Sequence, residues 1–384
     1  MPPPPLHPPI PAPAIWLVAL VAVAVALLLW PLQTPEMTAH FLPSLATIRT
    51  HGVAPAFAET FSYLMPGCLY LLALALSVHR LLRTLGVSQR TQWTIALLAL
   101  PSIALNTLLS GEGDALYVAA CVVAVAMALE HRHLAMFAWC GIAVALDAHA
   151  ALVAPFFLAL AIRRRVPFGY WLAAPAALVV ITTPALIAGW PPADIAAIYF
   201  PQPGRGIVLN APSIWSLAGA ISPEHAPILF GLALATAFAA TAAYVAQLQV
   251  AHFDKAGLVG MAALAALLTA GLLPGMHARA FLLADILIVA FAISRGTRSA
   301  FTLAALVQLG STAAILGGPG PGTPMVAIGA VCMIAATWIA ARPLIAPHAN
   351  DNRDGSHRIP APHGLRGTLS FDMVSAPVAG PRGE

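Results

Sequence analysis

Charged residues are scarce in this chain. Only 8% of its 384 residues are Asp, Glu, Lys or Arg, whereas 60% are hydrophobic, and the mean hydropathy is +0.86. A water-soluble domain covers its surface with roughly 25% charged residues. The shortage of charge therefore excludes an ordinary soluble fold and indicates an exterior that faces lipid. In that setting the net charge of +4 does not indicate nucleic-acid binding.

Cysteine is also scarce, and the chain has no P-loop and no internal repeat. The four cysteines lie in apolar stretches, which predicts small buried side chains rather than a disulfide framework or a metal cluster. Without a nucleotide-binding module, an ATP-driven pump is not favoured. The Pro-rich start lacks a basic segment and a small-residue cleavage site, so we expect the first apolar run to be a retained span.

Long apolar runs are present instead. A helix needs about 20 residues to cross a hydrocarbon layer of ~30 Å. Suitable segments are 13–31, 62–80, 91–109, 115–130, 169–188, 226–247, 256–273, 280–294, 299–316 and 324–341. The run 133–162 is too long for one ordinary span and is interrupted by LDAHA around Asp147, so we expect a hairpin of two short helices there.

The sequence thus predicts an all-α polytopic membrane bundle of about twelve transmembrane helices. The membrane domain would cover residues 13–342, after a Pro-rich extension at 1–12. Residues 343–384 are polar and lack apolar periodicity, which predicts a disordered tail.

The basic residues predict an orientation for these spans. With the N-terminus in the cytoplasm, fifteen of the eighteen Lys and Arg residues fall on the cytoplasmic side, and only Arg49, Arg205 and Arg279 fall outside. This asymmetry is what the positive-inside rule requires. We therefore expect a bacterial inner-membrane protein with both termini in the cytoplasm and its active face towards the periplasm.

Acidic residues are concentrated on the opposite side. Six of the fourteen fall in predicted outer loops or at span mouths, namely Glu36, Glu59, Glu112, Asp114, Asp194 and Glu224. Two more, Asp147 and Asp285, lie within apolar sequence, where an unpaired carboxylate costs at least a few kcal/mol. A protein that serves only as a scaffold does not need to bear this cost.

The first outer loop, residues 32–61, contains the most distinctive pattern. Residues 37–51 place Phe41, Leu45 and Ile48 on one side of a short helix, which predicts an amphipathic helix at the membrane interface. Glu36 precedes it and could act as a general base on a membrane-bound substrate. It could equally be an acid that stabilises the helix N-terminus, and the residues alone leave the two open.

Two further outer segments carry polar side chains. Asp114 is the last residue of the Gly-rich turn SGEGD, where it is expected to cap a helix. The segment around LNAPSIW offers Asn210, Trp215 and the nearby Arg205 as ligands for a sugar or phosphate, although an interfacial Trp is ordinarily a membrane anchor.

The turn LLPGMHARAF places His277 and Arg279 at the mouth of a span. An Arg at the membrane surface is suited to bind a phosphate or diphosphate. The alternative is an ion pair between Arg279 and Asp285 that joins two helices.

Together these segments resemble the GT-C superfamily of glycosyltransferases that use polyprenyl-linked sugars, especially bacterial mannosyltransferase-like members. The likeness rests on PEMTAHFLPSLATIRTHG with AFAETFSYLMPGCLYLLAL, on GEGDA at 111–115, on LNAP at 209–212 and on LPGMHARAF at 273–281. It extends in order over residues 13–300. Gly275, Ala278 and Ala280 stand where the family has Lys, Glu and an aromatic residue.

The resemblance implies an inverting transfer of a sugar from a polyprenyl-phosphate carrier to a lipid or glycan acceptor on the periplasmic side. Carried over by position, Glu36 would be the base, Asp114 the second acid, and His277 with Arg279 the ligands of the donor phosphate. No nucleotide sugar or ATP is then needed, no cofactor follows from the residues, and a role for a divalent metal is left open. The alternatives are a catalytically degenerate member that acts as a scaffold in envelope glycan assembly, or a transporter.

Overall fold

The structure is a computed structural model, and it describes residues 53–109, 114–193, 210–218, 226–317 and 323–345. All regular structure within these residues is helical, so the all-α prediction is confirmed for them. The helices are α1 (Val53–Thr84), α2 (Arg90–Leu98), α3 (Pro101–Ala104), α4 (Asp114–Leu129), α5 (His133–Leu146), α6 (Ala154–Arg163), α7 (Phe168–Trp171), α8 (Ala173–Ile187), α9 (Ala226–Val250), α10 (Lys255–Leu272), α11 (Leu282–Arg295), α12 (Arg298–Leu316) and α13 (Pro324–Ile345).

Within the described residues, five helical segments are long and apolar enough to cross a membrane. They are Phe168–Ile187, Pro227–Val250, Lys255–Leu272, Arg298–Leu316 and Pro324–Ile345. The count of about twelve spans stays a prediction. The first predicted span at 13–31, the interfacial helix at 37–51 and the predicted tail from residue 346 onwards lie outside the described residues. Helix α1 begins at Val53, within the predicted outer loop 32–61.

Small residues allow the central helices to pack closely. Helix α10 is rich in Ala and Gly, and most of its residues are buried, as are those of its neighbour α11. A Cβ added at Gly260 of α10 would lie 3.1 Å from the Phe291 ring of α11. Because lipid tails are as apolar as Leu, close van der Waals contact between small residues is a main source of helix association in membranes.

One end of the bundle collects basic residues, and we call it the basic end. Arg80 at the end of α1 donates to Glu130, which follows α4, at 3.1 Å. Arg164, after α6, donates to the Ala128 carbonyl of α4 at 2.5 Å. Arg295 at the end of α11 pairs with Asp254, which precedes α10, at 2.6 Å. The basic residues that the sequence assigns to the cytoplasmic side are thus joined at one end of the bundle, although the side of the membrane they face stays a prediction.

The run 133–162 is broken at the expected point. Helix α5 ends at Leu146, Asp147 is extended (φ −157°, ψ 138°), and a 3₁₀ turn at Ala148–Val153 leads into α6. At ~1.5 Å per residue, α5 and α6 are about 21 and 15 Å long, and neither reaches ~30 Å. Since α5 starts and α6 ends at the basic end, Asp147 lies towards the opposite end, which we call the distal end.

Candidate functional site

Two of the acidic residues singled out from the sequence lie near Tyr117 at the distal end. Asp114 lies in the first turn of α4, where a carboxylate stabilises the helix dipole, and it is only 5% exposed. Asp147 lies at the end of α5, which packs along α4. Both carboxylates act electrostatically on the buried Tyr117 hydroxyl, so the two acids share one neighbourhood.

His149 joins this group through Asp147. Oδ1 of Asp147 accepts a hydrogen bond from the His149 backbone N–H at 2.7 Å, and the ring nitrogen Nδ1 of His149 lies 2.7 Å from the same oxygen. When Nδ1 carries the proton, Nε2 is the basic nitrogen of the ring. The His149 ring lies 6.5 Å from the Tyr117 ring, centroid to centroid. We call Asp114, Tyr117, Asp147 and His149 the acid–histidine cluster.

Sequence reasoning noted the cost of Asp147 in an apolar run but missed its partner. The available signal was the spacing Asp-x-His inside the break between two apolar segments. An Asp oxygen at this position can accept the backbone N–H two residues on, and the same turn brings the imidazole back to the carboxylate. The pairing with Tyr117 could not be found this way because it depends on how α5 packs against α4.

An apolar cavity lies beside the 3₁₀ turn that carries His149. Its volume is about 750 Å³, and it lies between α5, α6, α8, α9 and α10. Ala151 and Ala154 line it directly after His149, and Leu273 lines it at the end of α10. The few polar side chains in its wall include Thr269, whose hydroxyl donates to the Leu152 carbonyl at 2.7 Å. The cavity therefore offers an apolar compartment, and Ala151 in its wall lies two residues after His149 of the acid–histidine cluster.

The predicted phosphate-binding turn follows Leu273. Gly275 has a positive φ of 71°, which permits the sharp turn before the 3₁₀ segment Ala278–Phe281. His277 and Arg279 are partly buried on this turn. Asp285, the proposed alternative partner of Arg279, forms no ion pair within the described residues and accepts instead from Ser311 at 2.8 Å. The predicted Arg279–Asp285 pair is therefore wrong, because α12 rather than the turn faces Asp285.

The LNAP segment packs against the same turn. Oδ1 of Asn210 accepts from the Ala278 backbone N–H at 3.3 Å, and Nε1 of Trp215 donates to the Leu272 carbonyl at 2.7 Å. The LNAP segment and the LPGMHARAF turn, about 60 residues apart in the chain, are thus adjacent in space. These bonds fix the turn, and a direct role of Asn210 or Trp215 in substrate binding stays a prediction. Glu36 and Arg205 lie outside the described residues.

The part of the chain that the structure describes contains no candidate metal site. No group of three or more His, Cys, Asp or Glu side chains there is arranged to hold a metal ion. Within the acid–histidine cluster, the Asp147 carboxylate is already bonded to the His149 imidazole.

In the described residues, the fold is entirely helical, with several membrane-length apolar helices and a polar cluster close in sequence to an apolar cavity. No family model matches the chain, and no curated protein matches it either.

Proposed function

We propose that this protein is an integral-membrane glycosyltransferase that moves a sugar from a polyprenyl-phosphate carrier to a lipid or glycan acceptor at the distal end. The observation that carries the proposal is the juxtaposition of the acid–histidine cluster with an apolar cavity of about 750 Å³. A lipid-linked sugar phosphate has this same division into a polar head and a long apolar chain. The motif resemblance described above supports the same substrate class.

The chemistry requires a base and a phosphate ligand. The base takes the proton of an acceptor hydroxyl, and the acceptor oxygen forms a bond to the anomeric carbon. The bond between that carbon and the phosphate oxygen breaks, and the polyprenyl phosphate leaves with the electron pair. His149, oriented by Asp147, would take this proton, and Glu36 is the base that the resemblance suggests. His277 and Arg279 would bind the departing phosphate.

The apolar cavity would hold the first isoprene units of the carrier. Substituting Ala154 by Trp would fill space in its wall without touching the acid–histidine cluster. We expect this variant to raise KM for the lipid donor more than it lowers kcat. The lost contacts bind the isoprene chain equally in the ground state and in the transition state, so their loss weakens binding without slowing the chemical step.

The experiment is a sugar-transfer assay with purified protein in liposomes and a panel of labelled polyprenyl-phosphate sugars. Asp147→Asn and His149→Gln should each lower the rate by about 10²–10⁴, the usual contribution of general acid–base assistance. Asn can still accept the His149 backbone N–H, so Asp147→Asn should keep the turn folded, whereas Asp147→Ala should also lose about 1 kcal/mol of stability. Asp254→Asn, at the basic end, is the matched control and should retain activity.

A degenerate scaffold is the second candidate, and the phosphate turn favours it. Ala278 and Ala280, which replace charged and aromatic residues of the family pattern, are 3% and 1% exposed, so small side chains are packed where the resemblance implies larger functional ones. A wild type without turnover on any sugar of the panel would support the scaffold. Full turnover by both Asp147→Asn and His149→Gln would remove the acid–histidine cluster from the mechanism.

A further inference from the structure

A second polar cluster is buried where α3, α11 and α12 meet. Asp285, in the first turn of α11, is 0% exposed, and its Oδ1 accepts from the Ser311 hydroxyl of α12 at 2.8 Å. The Ser102 hydroxyl of α3 donates to Oε1 of Gln308 at 2.6 Å, and Ser102 also interacts with the Asp285 carboxyl. Both serines are completely buried. Three helices thus bring four oxygen-bearing side chains to one point.

The cluster is not internally satisfied. Within the described residues, Oδ2 of Asp285 and Nε2 of Gln308 are buried and have no hydrogen-bond partner, and Asp285 forms no ion pair there. An isolated buried carboxylate is far too costly to persist as an anion, so such a residue takes up a proton, pairs with a positive charge or binds a cation. The open oxygen of Asp285 therefore leaves a place for a neutralising proton or metal cation.

The backbone beside the cluster is irregular. Leu100 is extended (φ −62°, ψ 141°) before the short helix that carries Ser102, and a π-helical turn at Leu105–Leu109 follows it. Broken helices at membrane depth commonly line ion sites, and π-turns occur frequently at functional positions. Ser102 is thus presented by an interrupted helix rather than by a regular one.

We propose that Ser102, Asp285, Gln308 and Ser311 form a binding site for a sodium ion. The donors are all oxygens, which hard cations prefer, and their total charge of −1 matches a monovalent ion. The cluster contains no thiolate or imidazole that would select a transition metal. The Ser102 and Ser311 hydroxyls donate to Gln308 and Asp285 at 2.6 and 2.8 Å, and both would turn their protons away to bind a cation. Separating such closely spaced oxygens around Na⁺ requires a smaller movement than around the larger K⁺. The site goes beyond the proposed sugar transfer and does not depend on it.

The test is thermal unfolding of the full-length protein in detergent, with NaCl replaced by choline chloride at constant ionic strength. Because a ligand that binds the native state stabilises it by mass action, Tm should rise by roughly 2 °C for each tenfold increase of Na⁺ above its Kd. KCl should give a smaller rise. A Tm that is the same in NaCl and choline chloride would overturn the sodium site. That result is the one expected if Asp285 is neutralised by a bound proton alone.

Variants locate the site. Asp285→Asn should abolish the Na⁺-dependent rise while folding at least as well in choline chloride, because it removes the buried charge. Ser311→Ala should weaken the apparent Na⁺ affinity about tenfold or more. Ser77→Ala, which removes a buried helical hydroxyl that donates to Leu74 at 2.8 Å, is the matched control and should keep the full response. A full Na⁺ response in Asp285→Asn would contradict the assignment, and the readout is separate from sugar transfer.

Discussion

At the scale of single residues, the polar contacts at the two ends of the bundle have different characters. At the basic end, side chains of adjacent helices bond to each other across the surface, as in the ion pair of Arg80 with Glu130. At the distal end, Asp147 bonds to His149 two residues away, next to a buried tyrosine. The first arrangement fastens helices, whereas the second holds an imidazole in a fixed orientation, which is what proton transfer requires.

Glu130 should make stability at the basic end depend on pH. Burial raises the pKa of Glu130, but hydrogen bonds from Thr84 and Arg80 and the charges of Arg80 and Arg132 outweigh it and hold the pKa below its ordinary value. A carboxylate with a lowered pKa stabilises the folded state above its ordinary pKa, and this contribution is lost as the pH falls through the folded-state value. Glu130→Gln should therefore cost about 1 kcal/mol or less near pH 7.

The measurement is Tm of wild type and Glu130→Gln between about pH 7 and about pH 4, which spans the ordinary Glu pKa. The difference between the two proteins should shrink towards the acidic end. A difference that is constant or grows on acidification would show that the Arg80–Glu130 pair does not stabilise the bundle as its geometry indicates.

At the scale of helices, the crossing of α12 and α13 depends on two glycines. A Cβ added at Gly329 of α13 would lie 2.7 Å from the Gly310 carbonyl of α12, closer than real Cβ atoms come to a backbone oxygen. Gly329→Ala must therefore push the helices apart, at a cost of about 1–3 kcal/mol. Thermal unfolding of Gly329→Ala should therefore give a lower Tm than that of the wild type.

Gly231→Ala supplies the matched control for that substitution. Gly231 lies in α9, and its added Cβ would meet no atom within 4 Å, so Ala there gains helix propensity without a clash. It should leave Tm unchanged or raise it slightly. Equal destabilisation by both substitutions would show that the α12–α13 contact does not limit stability.

Helices were the most predictable elements. Hydropathy located the apolar segments well because a membrane helix must present apolar side chains on every lipid-facing side over its whole length. Helices α4, α12 and α13 begin within one residue of the predicted segments. The sequence also marked the break at Asp147, since Asp147 and His149 interrupted an otherwise continuous apolar run.

The site was less predictable because it depends on packing between distant segments. Asp114 and Asp147 could be singled out by the cost of a buried acid, but nothing in the spacing predicted that they share Tyr117. The Asp285 partners Ser311 and Ser102 are 26 and 183 residues away in the chain, so only the helix arrangement could identify them. The alternative pairing of Asp285 with Arg279 rested only on their proximity in sequence, and the structure does not form it.

At the scale of the whole molecule, the gathering of Arg80, Arg164 and Arg295 at one end supports a definite orientation. Lys and Arg near span ends are retained on the cytoplasmic side, so the basic end should face the cytoplasm and the acid–histidine cluster the opposite side. The proposed function depends on this, because a donor without a nucleotide is used where nucleotide sugars are absent.

Thiol labelling in intact cells tests the orientation. With the four native cysteines replaced by Ser or Ala, a single Cys is placed at the exposed Ser88 between α1 and α2, or at Ser110, in the predicted outer turn before α4. A membrane-impermeant maleimide should label Ser110→Cys in intact cells and Ser88→Cys only after the membrane is opened. Detergent-solubilised protein, in which both thiols should react, controls for accessibility. The reverse pattern would invert the bundle, place the acid–histidine cluster on the cytoplasmic side, and make a nucleotide-activated donor the better match to the site.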